Sequence, residues 1–283
     1  VTQKSLASTK KLNNDIVVCW CDNGTTDGKF TEGLVYSIFS SDVPLVSAMR
    51  VQGNQIGRQR QNAFDYWLDK TDFPWVLWVD SDIVLTAEAL GKVWKAADPV
   101  NRPVVCGTYF ISKQNEQALM EPFPALFHFT ENDHQIQYVH PLPVNSLVQV
   151  GCAGFGFVLM HRSAGEKMRK HHGNRPFFNE TGVGEQFVSE DINFFRAMKE
   201  AGVPLWSHTG ATVQHMKRFS FDLEFYKLYW NSKHRDEQDR REAMADLDDA
   251  LPDRCACLCL YLRVPSLPTQ CHVGRTDAEH RLV

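Results

Sequence analysis

The chain has 283 residues, of which 43% are hydrophobic and 23% charged, a composition that fits one globular domain with at most an appendage and excludes a disordered linker or a fibre. Thirty-four acidic residues against 30 basic ones leave a formal charge of −4, so there is no overall basic surplus of the kind that coats nucleic acid, although a local basic groove stays open.

Residues Val1 to Asn14 are polar, carry three lysines and lack hydrophobic periodicity, and are expected to form a loose arm. From Asp15 onward, short apolar runs rich in β-formers alternate with helix-period segments. The runs are Ile16 to Cys21, Val43 to Val51, Trp75 to Val79 and Pro103 to Phe110. Between them, Leu34, Val35, Ile38 and Phe39 share one helical face, as do Ile56, Ala63, Phe64 and Trp67, and as do Leu90, Val93, Trp94 and Ala97. This alternation predicts an α/β fold with a mainly parallel sheet and three crossover helices. The stretch from Ala125 to Met160 holds prolines, aromatics and alternating segments, and is expected to add antiparallel strands after the parallel part. Its longest weakly polar run, Leu147 to Met160, contains Gln149 and three glycines and falls short of the roughly 18 apolar residues of a membrane span. Ser189 is placed to cap a helix that reaches about Ala201 and stops at Gly202 and Pro204.

Asp236 to Asp253 hold eight acidic and two basic side chains, so the negative balance belongs to this segment and the remainder is +2. The expected division is an arm over 1–14, a main domain over 15–235, and an acidic helix with a Cys-containing tail over 236–283. Cys255, Cys257 and Cys259 alternate one apart, which does not match a zinc knuckle. Cys19, Cys106 and Cys152 lie in apolar, strand-like surroundings and read as core thiols of a reduced compartment. With no leader-like segment at the start, the expected address is the cytoplasm.

The strongest local feature is Trp75-Val76-Leu77-Trp78-Val79-Asp80-Ser81-Asp82, an apolar strand that ends in two carboxylates one residue apart. Ligands of open α/β sheets gather at the carboxyl ends of strands, so Asp80 and Asp82 point to a divalent cation holding a phosphorylated ligand. The plainer alternative is a helix N-terminal region ahead of Thr86.

Further pieces follow in order: a first strand ending at Asp22-Asn23-Gly24, a helix with Arg58, Arg60 and Asn62, the Asp80-Ser81-Asp82 strand end, the turn Gly151-Cys152-Ala153-Gly154-Phe155-Gly156, Glu190-Asp191 on a helix, and His215. In this order the chain resembles the GT-A glycosyltransferases, in particular their family-2-like inverting branch, over roughly Asp15 to Tyr229. The resemblance implies a GT-A nucleotide-binding sandwich that moves a sugar from a nucleoside-diphosphate donor, a UDP-sugar, with Mn²⁺ or Mg²⁺. It also implies Asp82, His215 and, in part, Asp80 as metal ligands, with Asp80 touching the donor. Asp191 would be the general base within the acidic pair it forms with Glu190. Arg58 and Arg60 would meet the base or diphosphate, Asp22 the nucleobase, Gly154 the floor of the sugar pocket, and Lys217 and Arg218 the diphosphate. Each has a plain structural alternative as a cap, a surface charge, a turn residue or a strand bend. Gln214 to Arg218 is one residue too long for the Gln-x-x-Arg-Trp motif of processive members, and Phe219 replaces its tryptophan.

For the acceptor, the basic run from His161 to Arg175, with Arg162, Lys167, Arg169, Lys170, Arg175 and three histidines, offers a surface for a polyanion such as a hydroxymethylated DNA base. A solvated helix face is its alternative, and a protein or glycan acceptor needs no such run. Two other functional classes stay open: a catalytically silent sugar-nucleotide or glycan-binding module, and a nucleotidyltransferase. The usual Gly-rich signature of the latter after the first strand is a poor match to the segment from Trp20 to Gly28.

Overall fold

A computed structural model describes residues 14–114, 120–130, 135–183 and 186–217, together with Lys227, Trp230, His234, Glu237, Gln238 and Arg241 singly. The chain divides into two compact units, Val1–Ser220 and Phe221–Val283. In the second, Trp230 and His234 stack with ring centroids 5.9 Å apart; the cysteines of the tail lie outside the described residues.

The first unit runs β1 (Ile16–Asp22), α1 (Gly28–Ser40), β2 (Leu45–Gln52), α2 (Ile56–Lys70), β3 (Trp75–Val79), β4 (Ile83–Val84), α3 (Ala87–Ala96), β5 (Val104–Thr108), β6 (Phe110–Gln114) and β7 (Met120–Pro124). It continues with β8 (Leu126–Phe129), β9 (Ile136–Tyr138), β10 (Leu147–Val150), β11 (Cys152–Ala153), β12 (Phe157–His161), α4 (Arg162–His172), β13 (Thr181–Val183), β14 (Gln186–Val188), α5 (Glu190–Glu200), β15 (Leu205–Thr212) and β16 (Gln214–His215). The expected α/β class is present, as a seven-stranded sheet in the order β10-β15-β5-β12-β3-β1-β2.

Five of those strands run one way. β12 opposes both β3 and β5, and β10 opposes β15. The antiparallel strands expected between Ala125 and Met160 are present, and one of them, β12, lies in the middle of the sheet and not at its edge. Its residues Phe157 to Met160 are fully buried, and such a two-sided apolar run reads as a central strand whatever its direction.

Period-two alternation sends each strand's side chains to two cores. Val17, Cys19, Val76 and Trp78 join Phe64, Trp67, Phe155 and Phe194 on one face, while Ile16, Val18, Trp75 and Leu77 join Phe30, Leu34, Leu90 and Val93 on the other. Helices α2, α4 and α5 thus cover one side of the sheet, and α1 and α3 the other. The helical faces expected for α2 and α3 are the buried ones. That of α1 is rotated: Phe30, Gly33, Leu34 and Ser37 are buried, whereas Val35 and Phe39 are 46% and 83% exposed. Gly33 explains the difference, since a Cβ there would lie 2.7 Å from the Leu85 carbonyl oxygen; the helix packs backbone to backbone through its smallest residue.

Cys19, Cys21, Cys106 and Cys152 are buried free thiols. Burial pushes Cys21 and Cys106 up to about 12, which fits core residues and not nucleophiles. Among the described residues, no helix is long and apolar enough to cross a membrane.

Part of the basic run from His161 to Arg175 ties helices together, while Lys167, Lys170, His171 and Arg175 lie on the exposed side of the segment. Arg162 donates to the carbonyls of Trp67, Leu68, Thr71 and Phe73, closing the C-terminal end of α2. Arg169 pairs with Asp65 and Asp69, Lys167 reaches the Gly202 carbonyl at 2.7 Å, and Arg175 meets Glu200 at 3.2 Å. Arg162 and Arg169 thus act as a clamp between helices, because the carbonyls at helix ends need donors, and the rest of the run matches the solvated helix face. Arg162→Ala should lower unfolding stability in urea by about 2–3 kcal/mol. Arg162→Lys should recover less than half of that, since an ammonium lacks the planar fork that reaches several carbonyls. A change within about 0.5 kcal/mol for Arg162→Ala would contradict the clamp.

Candidate functional site

β3 is buried along its whole length between β1 and β12, and the acidic turn follows directly on it. The backbone N–H of Asp80 donates to the Gly156 carbonyl at 3.0 Å, and the Asp80 carbonyl accepts from Ile83 N–H at 3.0 Å. The next two residues form β4, which pairs with β16 so that Ile83 faces His215; Met216 N–H adds a bond to the Asp82 carbonyl at 2.8 Å. This short ladder brings together two side chains 133 positions apart: His215 Nε2 lies 3.1 Å from Asp82 Oδ2, and Lys217 Nζ lies 3.4 Å from the same oxygen. Burial alone would raise the Asp82 pKa, but the hydrogen bond from His215 and the charges of His215 and Lys217 outweigh it and hold the carboxyl below its usual range. Helix α3 has its own cap, Thr86, whose hydroxyl accepts from Ala89 N–H at 3.1 Å, so neither acid serves as that cap.

The other imidazole nitrogen matters as much. His215 Nδ1 lies 3.0 Å from the Phe110 carbonyl oxygen, which can only accept, so Nδ1 carries the hydrogen. Nε2 then meets the Asp82 carboxylate either as the second N–H of an imidazolium or as a lone pair beside an anionic oxygen, the arrangement in which both hold one cation. A carbonyl fixing the far nitrogen is the usual support of a metal-binding imidazole. Among the described residues, no three His, Cys, Asp or Glu side chains converge as a cation cage. The donor set that fits a divalent ion is the Asp82–His215 pair, two protein ligands that need oxygens from a ligand to complete them.

Asp80 is engaged elsewhere. Arg60, only 5% exposed on α2, gives Nη2 to both Asp80 oxygens at 2.7 and 2.9 Å and Nη1 to Glu190 Oε1 at 2.6 Å. Its guanidinium also lies 5.1 Å from the centroid of the Phe155 ring. Burial by itself would lower the Arg60 pKa, and the charges of Asp80, Glu190 and Asp191 more than reverse this. Glu190 is raised, chiefly by burial, with the charge of Asp191 adding to it and that of Arg60 opposing it. Arg60 is therefore an interior cation, while Arg58, two residues earlier and so on the opposite side of α2, stands exposed.

Asp191 faces the other way. The Ser189 hydroxyl donates to Asp191 Oδ1 instead of capping α5, and Ile192 N–H donates to the same oxygen at 2.8 Å. Oδ2 has no protein partner among the described residues. It opens on a cavity of about 660 Å³ with Tyr109, Phe123, Phe127, Tyr138 and Gly154 in its wall. Gly154 and Gly156 are small for a side chain's sake: a Cβ at Gly154 would sit 1.9 Å from the Tyr109 hydroxyl oxygen. That hydroxyl accepts from Gly156 N–H at 3.3 Å. The Tyr109 ring also packs edge-on against His215, with centroids 5.1 Å apart, so one buried phenol joins the Asp82–His215 pair to the Asp191 cavity.

Asp22 ends β1 with its carboxylate covered. It accepts from Arg50 Nε and Nη2 at 2.6 and 2.7 Å, from Gly24 N–H at 2.7 Å and from Trp20 Nε1 at 3.1 Å. The Arg50 hydrogen bonds keep its pKa low. Arg50, 42% exposed at the side chain, is the part of this ion pair that faces outward. Lys217 lies beside Asp82 as described, and Arg218 lies outside the described residues. Tyr109, Arg50 and the aromatic wall carried no motif; the only signal for Tyr109 was its place just after a buried strand.

No protein-family description matches this chain, and no curated protein matches it. Solved structures with a similar chain path include A197 from STIV, at 17% identity and a TM-score of 0.47, covering 72% of this chain and 86% of that one. Another is GalNAc-T7 with UDP, GalNAc and Mn²⁺, at 10% identity and 0.44, covering 75% and 39%. A third is CMP:2-keto-3-deoxy-manno-octonic acid synthetase complexed with CTP, at 9% identity and 0.39, covering 78% and 99%. All three TM-scores are below 0.5, so the site is read from its own residues.

Replacing Arg60 by Met should cost about 3 kcal/mol in urea unfolding, because it leaves the buried Glu190 carboxylate and the partly buried Asp80 carboxylate without their cation. Adding Glu190→Gln to that variant should return part of the loss. A cost under about 1 kcal/mol, or no coupling between the two sites, would show that Arg60 is not the pin.

Proposed function

We propose that this chain is a metal-dependent glycosyltransferase of the GT-A kind, moving a sugar from a nucleoside-diphosphate donor, a UDP-sugar, to an acceptor hydroxyl with inversion. The observation that carries this proposal is the pair of stations on either side of Tyr109: the Asp82–His215 pair at the end of β3 and the unpartnered Asp191 oxygen at an aromatic cavity.

Asp82 and His215 would hold Mn²⁺ or Mg²⁺. Such an ion supplies Lewis-acid stabilisation of charge on a departing diphosphate. Lys217, with its ammonium beside Asp82, is placed to add a positive charge to the same oxygens, and Arg58 is the exposed guanidinium on α2. Asp191 Oδ2 takes the proton of the acceptor hydroxyl as the acceptor oxygen bonds to the anomeric carbon and the bond from that carbon to the diphosphate oxygen breaks. Ser189 and the Ile192 N–H hold the other oxygen, which fixes the carboxylate's rotation. Glu190 and Asp80 act through Arg60 as positioning residues, and Tyr109 excludes water between the stations.

A panel of nucleotide sugars in thermal unfolding tests the donor. One nucleotide sugar with Mn²⁺ should raise Tm by about 5–10 °C at a hundredfold excess over its Kd, and Asp82→Ala or a chelator should remove that shift. Asp191→Asn should keep the shift and lose sugar transfer. Equal donor affinity with and without the metal would defeat the Asp82–His215 assignment, and unchanged transfer in Asp191→Asn would remove Asp191 as the base.

A further inference from the structure

We infer that the cavity beside Asp191 receives an uncharged pyranoside, held by its flat C–H face against an aromatic wall, and does not receive a nucleic acid. The inference rests on the transferase proposal for the role of Asp191, and on the cavity itself for the class of acceptor.

The wall is aromatic where a ring would lie. Phe123 and Tyr138 have centroids 4.7 Å apart at an interplanar angle of 37°, and Phe127 stands 6.2 Å from Tyr138. Tyr138 and Ile136, on the short strand β9, are 38% and 37% exposed. Apolar groups left partly open to water at the mouth of a concave site are the ones a ligand covers with most gain. The polar groups among the described lining residues are few: the Asp191 carboxylate, the Ser189, Tyr109 and Tyr138 hydroxyls, and the Gln137 amide. A sugar ring matches that division, since its axial C–H bonds make one apolar face while its hydroxyls donate to and accept from groups of this kind.

Charge decides against a polyanion. Among the described lining residues Asp191 is the charged one, and a phosphate brought beside it in an apolar cavity would be repelled without a cation to offset it. The run from His161 to Arg175 does not supply that cation, because none of its residues lines the cavity. The volume of about 660 Å³ lies within the range of small-molecule sites and exceeds what a single ring fills.

The test is saturation-transfer NMR on the full chain with a panel of methyl and octyl hexopyranosides and, in a separate arm, a short single-stranded oligodeoxynucleotide. At least one pyranoside should bind saturably. Tyr138→Ala and Phe123→Ala should weaken it at least about fivefold, Tyr138→Phe should retain it, and the Mn²⁺-dependent donor shift should survive in all three. Donor binding intact with no pyranoside bound, or oligonucleotide binding that Tyr138→Ala abolishes, overturns this inference and leaves the transferase proposal standing. Pyranoside binding that follows Tyr138 in a chain that binds no nucleotide sugar sinks the transferase proposal and upholds the cavity's ligand class.

Discussion

A single buried guanidinium sets the geometry of this protein. Arg60 leaves α2 into the interior and bonds Asp80 at the end of β3 and Glu190 at the start of α5. Removing an arginine from water is costly, and it is tolerated because its fork is filled by two carboxylates and its face lies against Phe155. The consequence is positional. Three elements far apart in sequence are tied at one point, and everything mounted on them inherits that registration.

The tie also sorts the acids. Each of two adjacent acidic pairs gives one member to Arg60 and releases the other. Asp80 turns inward, and Asp82 is left for His215 and Lys217. Glu190 turns inward, and successive residues on a helix point about 100° apart, so Asp191 is swung toward the cavity. Tyr109 fills the space between the two released carboxylates, against His215 on one side and Gly154 and Gly156 on the other. Each acidic pair thereby gives one member to the fold and leaves the other outside it, and the two pairs are served by one cation.

Much of the frame was legible from periodicity. The buried runs at Ile16 and Trp75 and the faces of α2 and α3 depend on local alternation, which a sequence displays directly. The place of β12 did not, since an apolar run shows that a strand is central but not which way it runs. The rotation of α1 was hidden because it depends on one glycine meeting the Leu85 backbone. Within the site, the meeting of Asp82 with His215 was anticipated from motif order, whereas the burial of Arg60 was not. An arginine two residues after another on a polar helix turn looks like surface charge until its partners, 20 and 130 positions away, are in place. The role of Arg162 was hidden for the same reason: its partners are carbonyls, which no sequence marks as needing donors.

In the proposed function, Arg60 retains Asp80 and Glu190 and thereby leaves Asp82 to a cation and Asp191 to a substrate hydroxyl. Anomalous scattering from crystals grown with Mn²⁺ and UDP tests it most directly. The account predicts a manganese peak coordinated by the Asp82 carboxylate and His215 Nε2, with Asp80 still on Arg60 and Asp191 uncoordinated. A peak ligated by Asp80 with Arg60 displaced, or no peak at Asp82 and His215, would contradict it.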